Sequence, residues 1–201
     1  IADHYTQIAS AIRGTIREKY WDATRGLFAD TYDHRSFSQH VNSLAILAGI
    51  VTGEEATRVM ERTLNDSSLI QATIYFRYYV HQALKVAGMG DHLLDNLQIW
   101  RDQMALGLTT WAEIPEPTRS DCHAWGASPN IEFFRILLGI DSNAPGFKSI
   151  RIAPSLGDLK EVSGTMPHPV GSVTASYKLD KKGKLTARLI LPTGTDGVFV
   201  W

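Results

Sequence analysis

GLTTWAEIPEPTRSDCHAWGASP, residues Gly107 to Pro129, is where this chain turns from one kind of structure to another. A long helical pattern runs up to it and a second one leaves it. Its 23 residues hold three carboxylates (Glu113, Glu116, Asp121), one histidine (His123), two tryptophans (Trp111, Trp125), the single cysteine (Cys122) and three of the eight prolines. Long ordered connections between rigid elements are where binding and catalytic groups concentrate. Carboxylates beside tryptophans suit a sugar site, since a flat apolar ring stacks on a sugar face while an acid moves protons.

Upstream, residues 1 to 114 contain no proline. That fits packed helices, because Pro in a helix interior costs about 3 kcal/mol. Ile8, Ile12, Ile16 and Tyr20 recur every four residues and draw one apolar stripe. The spacing predicts that this helix ends at Gly26. A second helix is expected from a Ser38 cap through Ile50, and a third from Thr52 or Gly53, with Glu54 and Glu55 where the helix dipole favours anions. A strongly apolar helix is expected after Ser67 or Ser68, ending at Gly88. Another runs from Asp91 to Gly107. Ser128 before Pro129 reads as a cap and first-turn pair opening NIEFFRILLGI. About six helices joined by short turns imply antiparallel neighbours.

Downstream of Asp141 the pattern changes. FKSIRIAP, GSVTASYKL and KLTARLILP alternate or are rich in β-branched residues, and Asp180-Lys181-Lys182-Gly183 reads as a hairpin turn. A small antiparallel β domain over residues 143–201 is expected, after a helical domain over 1–142.

The 20 basic and 21 acidic residues give a net charge near −1. No basic field exists to hold a phosphate backbone, so nucleic acid is not an expected partner. One cysteine allows no internal disulfide. The opening IADHYTQIASAIRGTIREKYW has neither the apolar run of a membrane span nor the form of a signal peptide. It reads as a fragment or processed chain whose compartment the sequence leaves open.

Glu113 sits past a helix end and before two prolines. Nearby tryptophans would strip water from it, raise its pKa and suit it to proton transfer; the competing reading is a solvated or capping loop carboxylate. Glu116, between prolines, reads as solvated. Cys122 and His123 are sequence neighbours, and catalytic Cys and His seldom are. No CxxC or HExxH spacing supports a metal, so neither metal nor cofactor is expected. Trp111 and Trp125 can stack on a sugar or belong to the core. IYFRYYV, Ile74 to Val80, reads as a packing face in which Arg77 pairs with a buried carboxylate. His40 and Asn42 read either as lining a pocket or, the favoured reading, as fixing the loop by hydrogen bonds.

YWDATRGLFAD, FSQHVNSLAILAGI, GLTTWAE and RSDCHAWGASPNIEFFRILLGI followed by PGFKSIRIAPSLGDL together resemble, in order, the C-terminal portion of bacterial α-L-rhamnosidases of glycoside hydrolase family 78. TT-x-x-E and SDCHAW-x-ASP are the most specific stretches. The resemblance implies the C-terminal half of an (α/α)6 catalytic barrel followed by a β-sandwich. It also implies inverting release of terminal L-rhamnose from a glycoside or polysaccharide. Glu113 matches the family's general base and His123 its sugar-contacting histidine; Trp111 and Trp125 stand beside them as substrate contacts on their ring chemistry alone. Family members often carry a tryptophan directly before the glutamate; here Ala112 stands there. The general acid matches nothing in this chain, so the expected partners include the missing half of the barrel, or a second copy on the uncovered helix faces. The alternatives are another (α/α)6 glycosidase of different sugar specificity and a non-catalytic carbohydrate-binding or scaffold module.

Overall fold

The computed structural model describes residues 1–114 and 120–201. They group into two compact units. A mainly helical one comprises residues 1–89 and 99–126, and a β-rich one comprises 90–98 and 127–201.

In the helical unit, α1 (Ala2–Tyr20) buries none of its residues, and Ile8 and Ile12 of its apolar stripe are exposed. It stops at Tyr20 rather than at Gly26. The Asp22 carboxylate accepts from the backbone N–H groups of Thr24 and Arg25. Such local bonds compete with the helix and turn the chain. Strands β1 (Trp21–Asp22) and β2 (Leu27–Phe28) pair across that turn, with Gly26 at φ +61.

Ser38 does cap α2 (Gln39–Leu47): its Oγ accepts from the Val41 N–H and donates to Asp30. Asn42, fully buried in α2, donates to the carbonyls of Phe28 and Ser38 and accepts from the Phe28 N–H. The loop-fixing role expected of Asn42 is what the structure shows. In α3 (Gly53–Asn65), Ala56, Val59, Met60 and Thr63 form the buried face, spaced three and four apart as an amphipathic helix requires. α2 lies against both α3 and α4 (Ile74–Val86).

The helix expected from Ser67 or Ser68 begins only at Ile74. The segment before it pairs with the entry to α2. Gln39 N–H donates to the Ile70 carbonyl, Ile70 N–H donates to the Phe37 carbonyl, and the Gln39 side chain accepts from the Ala72 N–H. Backbone groups taken by that extended pairing are lost to a helical turn. α5 (Gln98–Ala105) follows two 3₁₀ turns, Gly90–His92 and Leu94–Leu97. No helix among the described residues is long and apolar enough to cross a membrane.

In the β unit, α6 (Pro129–Glu132) runs into a π-helical turn, Phe133–Leu137. Ser128 is itself helical, at φ −54 and ψ −33, and its hydroxyl caps nothing. The 3₁₀ turn Ala124–Ala127 feeds directly into it, so the expected start signal is overrun. Two three-stranded sheets follow. One orders β3 (Ile140–Ser142), β4 (Ser149–Ile152) and β8 (Asp196–Phe199); the other orders β5 (Glu161–His168), β6 (Gly171–Leu179) and β7 (Leu185–Ile190). The hairpin at Asp180–Gly183 forms as expected between β6 and β7. β8 pairs in parallel with β4, so the β region is not purely antiparallel.

Val173, Ala175 and Tyr177 alternate inward along β6 and join Leu138, Ile140, Ile150 and Ile152 in a core to which both sheets contribute. The Tyr177 hydroxyl donates to the Leu138 carbonyl at 2.9 Å, and burial pushes its ionisation above the usual phenol range. Tyr177→Phe should cost about 1–2 kcal/mol, because it leaves that carbonyl buried and unpaired. A denaturant midpoint equal to the parent's would refute this. Gly139, at φ +70, lies so close to Ala153 that an added Cβ would sit 2.1 Å from the Ala153 carbonyl carbon. Only glycine allows that crossing.

Candidate functional site

The loop after α5 is held in place by two side chains of that helix. Gln103, 1% exposed, spans the peptide of Ala112 with both ends of its amide. Its Oε1 accepts from the Ala112 N–H at 3.0 Å, and its Nε2 donates to the Ala112 carbonyl at 3.4 Å. Trp100, also buried, donates its indole N–H to the Gly126 carbonyl at 2.6 Å. One helix therefore fixes both ends of the loop.

Between those anchors the loop is bound to itself. The Glu113 N–H donates to the Ser120 carbonyl at 3.0 Å, and the His123 N–H donates to the Trp111 carbonyl at 2.8 Å. The Thr110 hydroxyl donates to the Asp121 carbonyl. Two arms, one carrying Trp111 and Glu113 and the other Ser120 to His123, thus run antiparallel side by side. The bonds that Glu113 and His123 make in this register are made by their backbone N–H groups.

Glu113 is half-buried. The His123 ring stacks on Trp125, with centroids 4.3 Å apart and planes at 30°. His123 Nε2 is shut off from solvent and has no hydrogen-bond partner among the described residues. A buried polar atom left so costs about 1–3 kcal/mol. Trp125 is 43% exposed and meets the edge of Tyr75, itself 51% exposed, at 5.8 Å. Trp111 behaves differently. It is half-buried and packs so tightly on Gly126 that a Cβ there would lie 2.5 Å from its own.

Four residues singled out from the sequence (Trp111, Glu113, His123, Trp125) therefore share one stitched loop. Glu116 lies outside the described residues. Cys122 is a free, exposed thiol. His81 packs in the core against Trp100 at 5.6 Å. The carboxylate partner expected for Arg77 is absent among the described residues. Its Nε is buried without a hydrogen bond, and burial holds the guanidinium below its usual range. His40 lies on Phe76 at 4.3 Å; burial lowers its pKa, Asp30 opposes that and Arg77 adds to it. Among the described residues no group of three metal-ligating side chains comes together.

Gln103, Trp100 and Tyr75 were not legible as parts of a site. Gln103 lies in an amphipathic stretch where nothing distinguishes it from Gln98. Only the partner it finds nine residues later gives it a role. Gln103→Leu should strand the buried N–H and C=O of Ala112, cost about 2–4 kcal/mol, and loosen the arm that carries Glu113. Gln103→Glu keeps the shorter of the two bonds and should lie between. Melting temperatures of both variants at or near the parent's would remove the clamp role.

A family model described as the bacterial alpha-L-rhamnosidase C-terminal domain matches residues 139–200. A comparison with curated proteins finds no match. Among solved structures, the chain is similar to a GH78 family rhamnosidase of Bacillus sp. GL1, with TM-score 0.81 and 25% identity, over 98% of this chain and 24% of that one. An α-L-rhamnosidase from Dictyoglomus thermophilum has TM-score 0.79 and 20% identity over 98% and 23% of the two chains. One from Aspergillus terreus has TM-score 0.78 and 19% identity over 99% and 25%. The chain thus spans about a quarter of the length of these structures. The resemblance read from the sequence, to the C-terminal part of family 78 rhamnosidases, is what these matches show.

Proposed function

We infer, from a chain whose likeness to glycoside hydrolase family 78 extends over 98% of its length, that it forms part of an α-L-rhamnosidase. In this reading its substrate is a glycoside or polysaccharide ending in α-L-rhamnose. The helical region is half of an (α/α)6 catalytic barrel, whose other half lies outside this chain. Within this chain the catalytic half-barrel spans residues 1–142 and the C-terminal β domain residues 143–201.

Glu113 is the general base. Inversion needs two carboxyl groups roughly 6.5–9.5 Å apart, one protonating the leaving oxygen and one drawing a proton from water on the opposite face. Glu113 takes that water's proton as the water oxygen bonds to the anomeric carbon and the glycosidic bond breaks. The proton donor to the leaving group is contributed by the other half of the barrel. His123 is the sugar-contacting histidine, and Trp125, stacked on it, offers an exposed ring beside it. Trp111 acts by packing the loop. The observation that carries the reading is the match to the Bacillus rhamnosidase across both units, supported by a backbone-stitched loop that presents an acid and a histidine together.

The test is hydrolysis of p-nitrophenyl α-L-rhamnoside by the protein that contains this chain, followed by proton NMR. Inversion requires β-L-rhamnose as the first product. An α-first product would overturn the mechanism, and cleavage of other aryl glycosides only would overturn the sugar. The 201 residues alone should release no p-nitrophenol; measurable turnover would show that they carry both carboxyls.

A further inference from the structure

The aromatic stack of the loop does not end at Trp125. Tyr75 meets Trp125 at 5.8 Å, Tyr79 meets Tyr75 at 6.4 Å, Phe76 meets Tyr79 at 4.9 Å, and His40 meets Phe76 at 4.3 Å. With the His123–Trp125 pair, six rings run unbroken from the loop, over the first turns of α4, to the start of α2. All six lie within the helical unit.

Two features set this strip apart from core packing. One is exposure: none of the six rings is buried, whereas Phe28 and Trp100 in the same unit are 0% and 4% exposed. The other is polarity. Five of the six rings carry a hydroxyl or a ring nitrogen, all but Phe76. Tyr75 and Tyr79 meet edge to face with ring centroids 6.4 Å apart, and the neighbouring Tyr75 hydroxyl holds the Tyr79 phenol above its usual range. A protein helix would want a dry aliphatic groove in which to seat its anchors. Ring faces with polar rims suit a ligand that is apolar on its faces and hydroxylated at its edge, which describes a sugar.

We propose that this strip is a carbohydrate-binding track, in which Tyr75 and Tyr79 hold a second sugar ring next to the one contacted by His123 and Trp125. The proposal rests on reading the loop as a sugar site, and it extends the ligand from a single sugar to an oligosaccharide. Tyr75 and Trp125, both exposed, meet edge to face at 5.8 Å, so a ring seated on one is adjacent to a ring seated on the other. Tyr79 contributes its hydroxyl as the polar edge.

The track can be tested with the enzyme that contains this chain, stopped by Glu113→Gln, using calorimetric titration with L-rhamnose and with a rhamnose-terminated trisaccharide. The trisaccharide should bind about tenfold more tightly, equivalent to about 1.4 kcal/mol. Tyr75→Ala should erase that advantage, lowering the trisaccharide affinity about tenfold more than the rhamnose affinity. Tyr75→Phe keeps the ring and should retain most of the advantage; a loss as large as with Ala would overturn the stacking role. If rhamnose binds and Tyr75→Ala leaves the ratio of affinities intact, the track falls, the strip is left to a protein partner, and the sugar site stands. If neither ligand binds, both readings fall.

Discussion

Replacing Glu113 by Gln in the enzyme that contains this chain should lower kcat by about 10²–10⁴-fold, the usual contribution of a positioned general base. Fold and melting temperature should hardly change. Gln has nearly the same shape as Glu, and the loop register rests on backbone bonds: Glu113 N–H to Ser120 and His123 N–H to Trp111. The Gln103 clamp acts one residue earlier, on Ala112. The variant should therefore bind rhamnose as the parent does while failing to activate water. Azide needs no deprotonation to act as a nucleophile, so it should restore part of the rate. A variant with full activity would remove Glu113 from the base role. One that loses both activity and melting temperature would make it a structural residue.

Asn42→Leu should destabilise the fold more than either Tyr177→Phe or Gln103→Leu. It removes at once the acceptor for the Phe28 N–H and the donor to the Phe28 and Ser38 carbonyls, all in the buried part of the helical unit. Each stranded backbone group costs about 1–3 kcal/mol, so a total of about 3–5 kcal/mol is expected. That is a large share of the roughly 5–15 kcal/mol by which domains are stable, and it should lower the melting temperature by roughly 10 °C or more. Leu44→Ala, on the exposed side of the same helix, should change it little. Equal melting temperatures for the two variants would show that Asn42 does not hold the hairpin.

Much of the architecture was legible because it depends on neighbouring residues. The Ser38 cap, the face of α3 and the hairpin at Asp180–Gly183 all follow from side chains within a few positions of one another. Two of the misread features share one cause. The helix expected from Ser67 or Ser68 loses its first turns to pairing with residues 37–39, some thirty positions earlier. β8 finds β4 across more than forty residues. Hydrophobic periodicity carries no information about such partners. Ser128 shows a further failure: a good cap residue is idle when the chain before it is already helical.

The same division holds at the site. By itself the sequence marked the loop and carried the family resemblance that singles out Glu113 and His123, because a motif is a property of a single segment. Only the tertiary structure decided that Gln103 and Trp100 anchor the loop, that Trp111 packs inward on Gly126 while Trp125 faces outward, and that Tyr75 and Tyr79 carry the ring strip on to His40. The physical reason is that hydrogen bonds and ring contacts form at distances of roughly 3 to 6 Å in space. Chain distance does not constrain them once α2, α4 and α5 have packed.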